Sequence, residues 1–434
     1  MKTVEEAIDW IHSLLPFGIK PGLKRMEWML ERLDHPEKKL SMIHIGGTNG
    51  KGSTVSYLRH MLEANGYDVG TFTSPYIECF EERVSLNGEP ISSEDLVDCA
   101  NKVKPLVDEL AKSDLGSPTE FEVITTIGFL YFATMTKPDF VIVEVGLGGR
   151  LDSTNVIDPI LSIITSIGRD HMHILGESLE EIAFEKAGII KNGTPVISGV
   201  SQAEAQSVIK DKADHCKAQF KQRGVDFEQT LLTRNETSQL FTFQSIEETF
   251  ETCTIHMAGD HQRENASLAI AAMSTLKQLG HVKYTEEACL VGLQKTSWAG
   301  RFEIVQKDPT IILDGAHNEE GMSALAATLG AHYPDKRYRI IMAATKEKEM
   351  QKLLHPFLQL NAIFTFTTFD FFRAASEVDL FNQAEVQEKV AVSDWRKAVL
   401  DAQLNHTTDD IIVVSGSLYF VSEVRKWLRS TIKV

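Results

Sequence analysis

The sequence predicts an α/β protein of two domains, each built on a mostly parallel sheet with helices on both faces. Three observations carry this prediction. Short apolar runs alternate with helical stretches along nearly the whole chain. The runs are rich in Val and Ile without clean alternation, as expected of strands covered on both faces. The length, 434 residues, suits two to three domains of ordinary size.

In chain order, strands are expected over 41–45, 69–73, 140–145, 161–166 and 195–199, with helices over 51–65, 92–110, 120–135, 179–188 and 204–218. Residues 225–258 read differently: Leu240-Phe241-Thr242-Phe243 and the run 253–257 suit short antiparallel strands with polar turns. A second alternating series follows Trp298-Ala299-Gly300-Arg301-Phe302, with strands over 310–313, 338–343, 362–367 and 410–414. It is a complete sheet-forming set, so the boundary falls near 296–300 and the domains are 1–296 and 297–434. No internal repeat or low-complexity linker interrupts them.

Composition excludes several classes of function. With 43% hydrophobic and 24% charged residues the chain is globular rather than disordered. A net charge of −17 argues against duplex nucleic acid as the main partner, since such partners are held by clustered basic side chains. Anionic small molecules remain open, because a few N–H groups and one Lys reverse the field inside a cleft. The five cysteines are scattered, without a C-x-x-C pair, which disfavours a disulfide framework or zinc ribbon and suits reduced, cytoplasmic thiols. The acidic start, Met1-Lys2-Thr3-Val4-Glu5-Glu6, does not resemble a secretory signal, and no run of about 18 apolar residues offers a membrane span.

The strongest chemical signal is Gly46-Gly47-Thr48-Asn49-Gly50-Lys51-Gly52-Ser53-Thr54, placed between an apolar strand and a helix. Glycines let backbone N–H groups curl around a phosphate, the helix N-terminus adds positive potential, and Lys51 reaches the β/γ-phosphates. It departs from the standard Walker A in its glycine spacing and in Gly52, which separates Lys51 from Ser53. Gly146-Leu147-Gly148-Gly149-Arg150-Leu151 imitates a dinucleotide fingerprint but lacks the third glycine, so a nicotinamide enzyme is a poor reading. Glu144, inside the strand 140–145, needs a partner once buried. A salt bridge to Arg150 would be structural; a Mg²⁺ ligand beside a nucleotide would be functional. Asp170-His171-Met172-His173 follows a strand at the edge where α/β proteins bind ligands. Lys186, at a helix end, reads on its own as a solvated cation. Asp314-Gly315-Ala316-His317-Asn318 and Ser415-Gly416-Ser417-Leu418-Tyr419 form polar tips after strands of the second domain. The bland reading of the first is a turn capped by Asn318.

Taken in order, these motifs resemble the folylpolyglutamate synthase/dihydrofolate synthase branch of the Mur ligase superfamily. Also matching are Thr73-Ser74-Pro75-Tyr76, Gly149-Arg150-Leu151-Asp152, Glu185-Lys186-Ala187-Gly188-Ile189, His261-Gln262 with Asn265-Ala266, and Gly300-Arg301. The resemblance implies an N-terminal P-loop ATPase domain with a doubly wound sheet and a smaller Rossmann-like C-terminal glutamate-ligase domain, with ATP in the cleft between them. It implies that Thr48, Asn49, Gly50, Lys51, Gly52, Ser53 and Thr54 hold phosphates, and that Asn265, Arg301, Asp314 and His317 surround the nucleotide and the incoming amino acid. Ser53, Ser74, Glu144 and His171 match Mg²⁺ positions, directly or through water. Lys186 matches a lysine that becomes carbamylated and attracts a second Mg²⁺, which reverses its bland reading. Ser74, Tyr76, Glu122, His317 and Ser417 match substrate positions; Lys51, Lys186, Arg301 and His317 match the catalytic ones.

The implied reaction is ATP-dependent ligation of L-glutamate to a folate carboxylate through an acyl phosphate, in a cytoplasmic monomer free of membrane and nucleic acid. Whether the acceptor is dihydropteroate, a reduced folate or both stays open; Glu120-Phe121-Glu122, implied to border the pterin pocket without a deletion, leans toward both. Three departures bear on substrate preference: Tyr76 where His is common, Glu347 and Glu349 where Asp is common, and Phe372 in place of Pro before Arg373-Ala374. A P-loop phosphotransferase would explain the loop but leave the second domain without a task. A nucleotide-dependent regulatory or binding module would leave Lys186 unexplained.

Overall fold

Eight strands make the first sheet of this computed structural model, which describes residues 1–18 and 20–431. They are β1 (Met42–Gly46), β2 (Val69–Phe72), β3 (Val84–Leu86), β4 (Glu89–Pro90), β5 (Phe140–Glu144), β6 (Leu161–Ile164), β7 (Val196–Ser198) and β8 (Phe220–Gln222). Their order is β4-β3-β2-β5-β1-β6-β7-β8. From β2 to β8 the pairs are parallel, and β3 and β4 extend the sheet antiparallel. Every residue of β1 and β5 is buried, which is why both read as apolar without alternation, broken only by His44 and by Glu144 at the end of β5. Phe72, Val141 and Val143 pack one face against the Ser93–Leu110 and Glu120–Tyr131 helices. Val145, Ile164 and Val196 pack with the Leu179–Ala187 helix.

Strands β9 (Phe227–Arg234), β10 (Gln239–Ser245) and β11 (Thr249–Ile255) form a small sheet in the order β11-β10-β9. The third sheet holds β12 (Glu303–Lys307), β13 (Thr310–Leu313), β14 (Arg337–Met342), β15 (Ala362–Thr368), β16 (Lys389–Asp394) and β17 (Asp410–Ser415). Its order is β12-β13-β17-β14-β15-β16, parallel apart from the β12–β13 pair. The α/β class with two mostly parallel sheets therefore stands as read from the sequence.

The chain divides into two compact units. Residues Met1–Thr230, Phe241–Cys253 and Glu264–Thr296 make the first; Leu231–Leu240, Thr254–Arg263 and the chain from Ser297 onward make the second. The two earlier segments of the second unit lie outside the span 297–434, a contribution that a single cut along the chain does not foresee. The short strands β3, β4 and β8, and the edge strands β12 and β16, were not expected either. Exposed residues at β4 and β16 break any apolar run. The helix expected to reach residue 135 stops at Tyr131 and widens into a π turn, Phe132–Thr136, that closes on left-handed Lys137. No helix among the described residues is long and apolar enough to cross a membrane.

Candidate active site

In the first sheet, β1 lies between β5 and β6, so its C-terminal loop emerges where strand order reverses. That loop is the glycine-rich 46–50 segment, and Gly50 caps the Lys51–Ala64 helix at φ 85°. A Cβ on Gly50 would overlap the Asn265 carboxamide, and one on left-handed Gly47 would overlap the Thr165 hydroxyl. Residues after β6 hold the loop from beside it. The Ser166 carbonyl accepts the Thr48 N–H at 2.8 Å, the Ser166 Oγ accepts the Asn49 N–H at 3.0 Å, and the Thr165 hydroxyl donates to the Asn49 carbonyl at 2.6 Å. Thr165 and Ser166 had no role in the sequence reading; polar residues directly after an apolar strand beside β1 were the available signal.

Two ammonium groups converge on the Gly47 carbonyl, Lys51 Nζ at 3.0 Å and Lys186 Nζ at 3.1 Å. Lys51 also donates to the Thr48 carbonyl at 3.2 Å. Lys186 is 4% exposed. The solvated helix-end reading of Lys186 is thus corrected: the Leu179–Ala187 helix turns its last basic side chain inward. Burial, with Lys51 adding to it, pushes the Lys186 amine down to about 7.

Glu144 ends β5 opposite Ile45 in the parallel register and is 5% exposed. Its Oε2 accepts the Ser74 N–H at 3.2 Å, bringing together two of the expected Mg²⁺ positions. Arg150 turns to Glu185 at 2.8 Å. Ser53 and Thr54 are buried in the first turn of the Lys51–Ala64 helix, where Gly52 also lies. His171 is an exposed, left-handed residue that opens a four-residue helix, with its N–H on the Asp170 carboxylate at 2.9 Å. No group of three or more His, Cys, Asp or Glu side chains among the described residues forms a ready-made metal cage.

The residues expected on the acceptor side have more specific neighbours than sequence showed. Glu122 is 1% exposed; both carboxylate oxygens meet Arg25 Nε, at 2.9 and 3.0 Å, and Oε2 caps the Thr119 N–H at 2.7 Å. Its carboxylate therefore organises Arg25 and a helix start. Arg25 had been overlooked. Tyr76 lies under Arg83, 5.4 Å from ring to guanidinium, and Arg83 pairs with Glu120 at 3.3 Å.

In the second unit, buried Asp314 accepts the Ala316 N–H at 2.9 Å and the Phe302 N–H at 2.8 Å. Burial raises its pKa above the ordinary aspartate value, with Arg301 and those two amides opposing the rise. Gly315 N–H donates to the Gly300 carbonyl at 2.8 Å, which places the Arg301 turn beside the Asp314 tip. His317 Nδ1 contacts the Gly315 carbonyl at 2.8 Å. Ser417 is buried at the start of the Leu418–Thr431 helix, after left-handed Gly416. His261 is held down to about 4 by burial and by Arg301.

Comparisons with known proteins identify the family. The Mur ligase middle domain matches residues 45–273, and the Mur ligase glutamate ligase domain matches residues 300–418. The chain belongs to the Mur ligase family. It is 44% identical to the dihydrofolate synthase/folylpolyglutamate synthase of Bacillus subtilis (strain 168), across 98% of this chain and 99% of that one. The Mycobacterium tuberculosis folylpolyglutamate synthase complexed with ADP and AMPPCP superposes with a TM-score of 0.89 at 27% identity, covering 98% and 99% of the two chains. Escherichia coli FolC in complex with DHPP and ADP gives a TM-score of 0.88 at 27% identity, covering 98% of each. This member of the family is an ATP-dependent ligase.

Proposed function

We propose that this ligase joins L-glutamate to the carboxylate of a reduced folate, and also to that of dihydropteroate, as a monomer whose ATP-binding domain is 1–296 and whose glutamate-ligase domain is 297–434. The observation that carries the proposal is the pair of lysines on the Gly47 carbonyl, one of them buried with its amine near neutrality.

A carboxylate is a poor acyl donor because its oxygen leaves badly. Transfer of the γ-phosphoryl group of ATP to that oxygen forms an acyl phosphate and releases ADP. Attack by the glutamate amine then forms the amide, expels phosphate and gives up a proton. Both steps build negative charge on oxygen, which Lys51 and the amides of Thr48, Asn49, Gly50, Gly52, Ser53 and Thr54 are placed to stabilise. Asn265 supports Gly50 beside the nucleotide. Arg301 and Asp314 shape the corresponding tip of the second unit, where His317 and Ser417 are assigned to the nucleotide phosphate and the amino acid.

Mg²⁺ fits this donor set. Glu144 offers one buried carboxylate, Ser53 and Ser74 offer hydroxyls, and His171 offers an imidazole, leaving positions for phosphate oxygens and water. When bound, the ion neutralises charge on the phosphates. The neutral amine of Lys186 could add CO₂, forming an N–C bond and losing a proton, and the carbamate would supply oxygens suited to a second Mg²⁺. Ser74, Tyr76 and the Glu122–Arg25 pair line the acceptor side.

The test is glutamate-dependent ADP release by purified protein with ATP, Mg²⁺ and either tetrahydrofolate or dihydropteroate. Release with both is expected. Release with tetrahydrofolate alone restricts the enzyme to polyglutamate synthesis, and release with neither overturns the proposal.

A further inference from the structure

Strands β13, β17, β14 and β15 run parallel and release their loops at one edge of the third sheet. The loops 343–349 and 369–375 take no part in the chemistry above, yet they are stitched together. Thr345 bridges Ala374, the Lys346 N–H donates to the Arg373 carbonyl, and the Ala375 N–H donates to the Ala344 carbonyl, both at 2.9 Å. A column of rings supports them: Phe369 and Phe371 lie 5.8 Å apart and 6° from parallel, Phe371 and Tyr419 4.8 Å apart and 17° from parallel. Tyr419 stands two residues after Ser417, so the column reaches the proposed amino-acid side of the unit.

Arg373 rests on this support. Its guanidinium lies 5.3 Å from the Phe371 ring and 5.5 Å from that of Phe372, which is itself 82% exposed. Its charge partner is weaker: Nη1 meets Glu347 Oε1 at 3.4 Å, and both side chains are 49% exposed. A guanidinium is built for two short parallel bonds to a carboxylate, and Glu347 supplies one long contact. Exposed pairs of this kind contribute little and exchange readily. The cation thus rests against its aromatic neighbours and is loosely paired at the edge where α/β units take ligands.

We propose that Arg373 receives a carboxylate of the incoming L-glutamate, and that Glu347 is the internal carboxylate displaced in exchange. The inference rests on the ligase function proposed above. An amino acid lacking that carboxylate leaves Arg373 with Glu347 and gains nothing, so the pair sets selectivity as well as affinity.

Steady-state ADP release by the full-length enzyme, with ATP, Mg²⁺ and tetrahydrofolate, separates the alternatives. Arg373→Gln is expected to raise KM for L-glutamate about 10-fold or more, with kcat within about 3-fold and KM for ATP within about 2-fold of wild type. Arg373→Lys should recover part of the loss, because it keeps the charge without the fork. Glu347→Gln should lower KM for L-glutamate about 2-fold by removing the competitor. L-Glutamine and L-isoglutamine each lack one carboxylate, and the Arg373→Gln penalty should vanish on one of them. An unchanged KM in Arg373→Gln, an equal penalty on all three amino acids, or a raised KM in folded Glu347→Gln overturns the assignment. A wild type that releases no ADP on adding glutamate overturns the ligase proposal and this one with it. An active wild type with unaltered Arg373→Gln kinetics overturns this one alone.

Discussion

The tip after β1 and the tips after β13 and β15 sit at equivalent ends of parallel strands, yet their charges are arranged oppositely. After β1, two ammonium groups share a backbone carbonyl, neither Lys51 nor Lys186 is in a salt bridge among the described residues, and Asp170 and Asp152 act on Lys186 only at longer range. After β13 and β15, each cation faces a carboxylate: Arg301 acts on buried Asp314, and Arg373 meets Glu347. An excess of cation suits an anion brought from outside, as with the phosphates of ATP. A balanced set suits a ligand that itself carries both signs, as an amino acid does, because binding then exchanges partners without leaving a buried charge unpaired.

Removing the excess cation should break the contrast most severely. Lys51→Ala is expected to lower turnover about 100-fold or more while the protein still melts cooperatively, because stabilisation of the transferring phosphoryl group is lost. Near-normal turnover would remove the phosphate assignment. Lys186→Ala should retain nucleotide binding, measured by calorimetry, but lose most ligation, and acetate or propionate should restore part of it by supplying the missing anion.

On the balanced side the expected losses are smaller. Asp314→Asn keeps an oxygen for one amide but loses the charge facing Arg301, so turnover should fall about 10-fold and stability by about 1–2 kcal/mol, read from kinetics and urea denaturation. Full activity would show that Arg301 needs no counterion. Glu122→Gln tests whether a carboxylate committed to Arg25 acts through placement: KM for the folate acceptor should rise several-fold while KM for ATP holds.

A further expected effect is on pH. The folded value of unmodified Lys186, about 7, lies below that of an exposed lysine. The unfolded chain therefore binds more protons between about pH 7 and 10, and unmodified protein should gain stability as pH rises through that window. Lys186→Met should flatten that slope in carbonate-free buffer. At fixed dissolved CO₂, activation should likewise strengthen from about pH 6 to 8, as the amine loses its proton.

Much of this was legible in the residues, because the signals are local. Apolar runs without alternation announced buried parallel strands, and the run Gly46–Thr54 after such a strand announced an anion-binding turn. The ordered motifs from Gly47 to Tyr419 pointed to the family that the full-length comparisons bear out. What the residues could not announce is which charged groups lose water and what they then meet. Its own surroundings make Lys186 an ordinary helix-end cation; the resemblance reverses that reading, and only the fold shows its neighbour, the Gly47 carbonyl 139 positions away. Glu122 reads as a pocket residue until Arg25, 97 positions earlier, closes on both its oxygens. Periodicity and turn chemistry act within a few residues and are written in the chain. Desolvation and charge pairing depend on groups far apart in sequence, and they take their values only when the sheets bring those groups together.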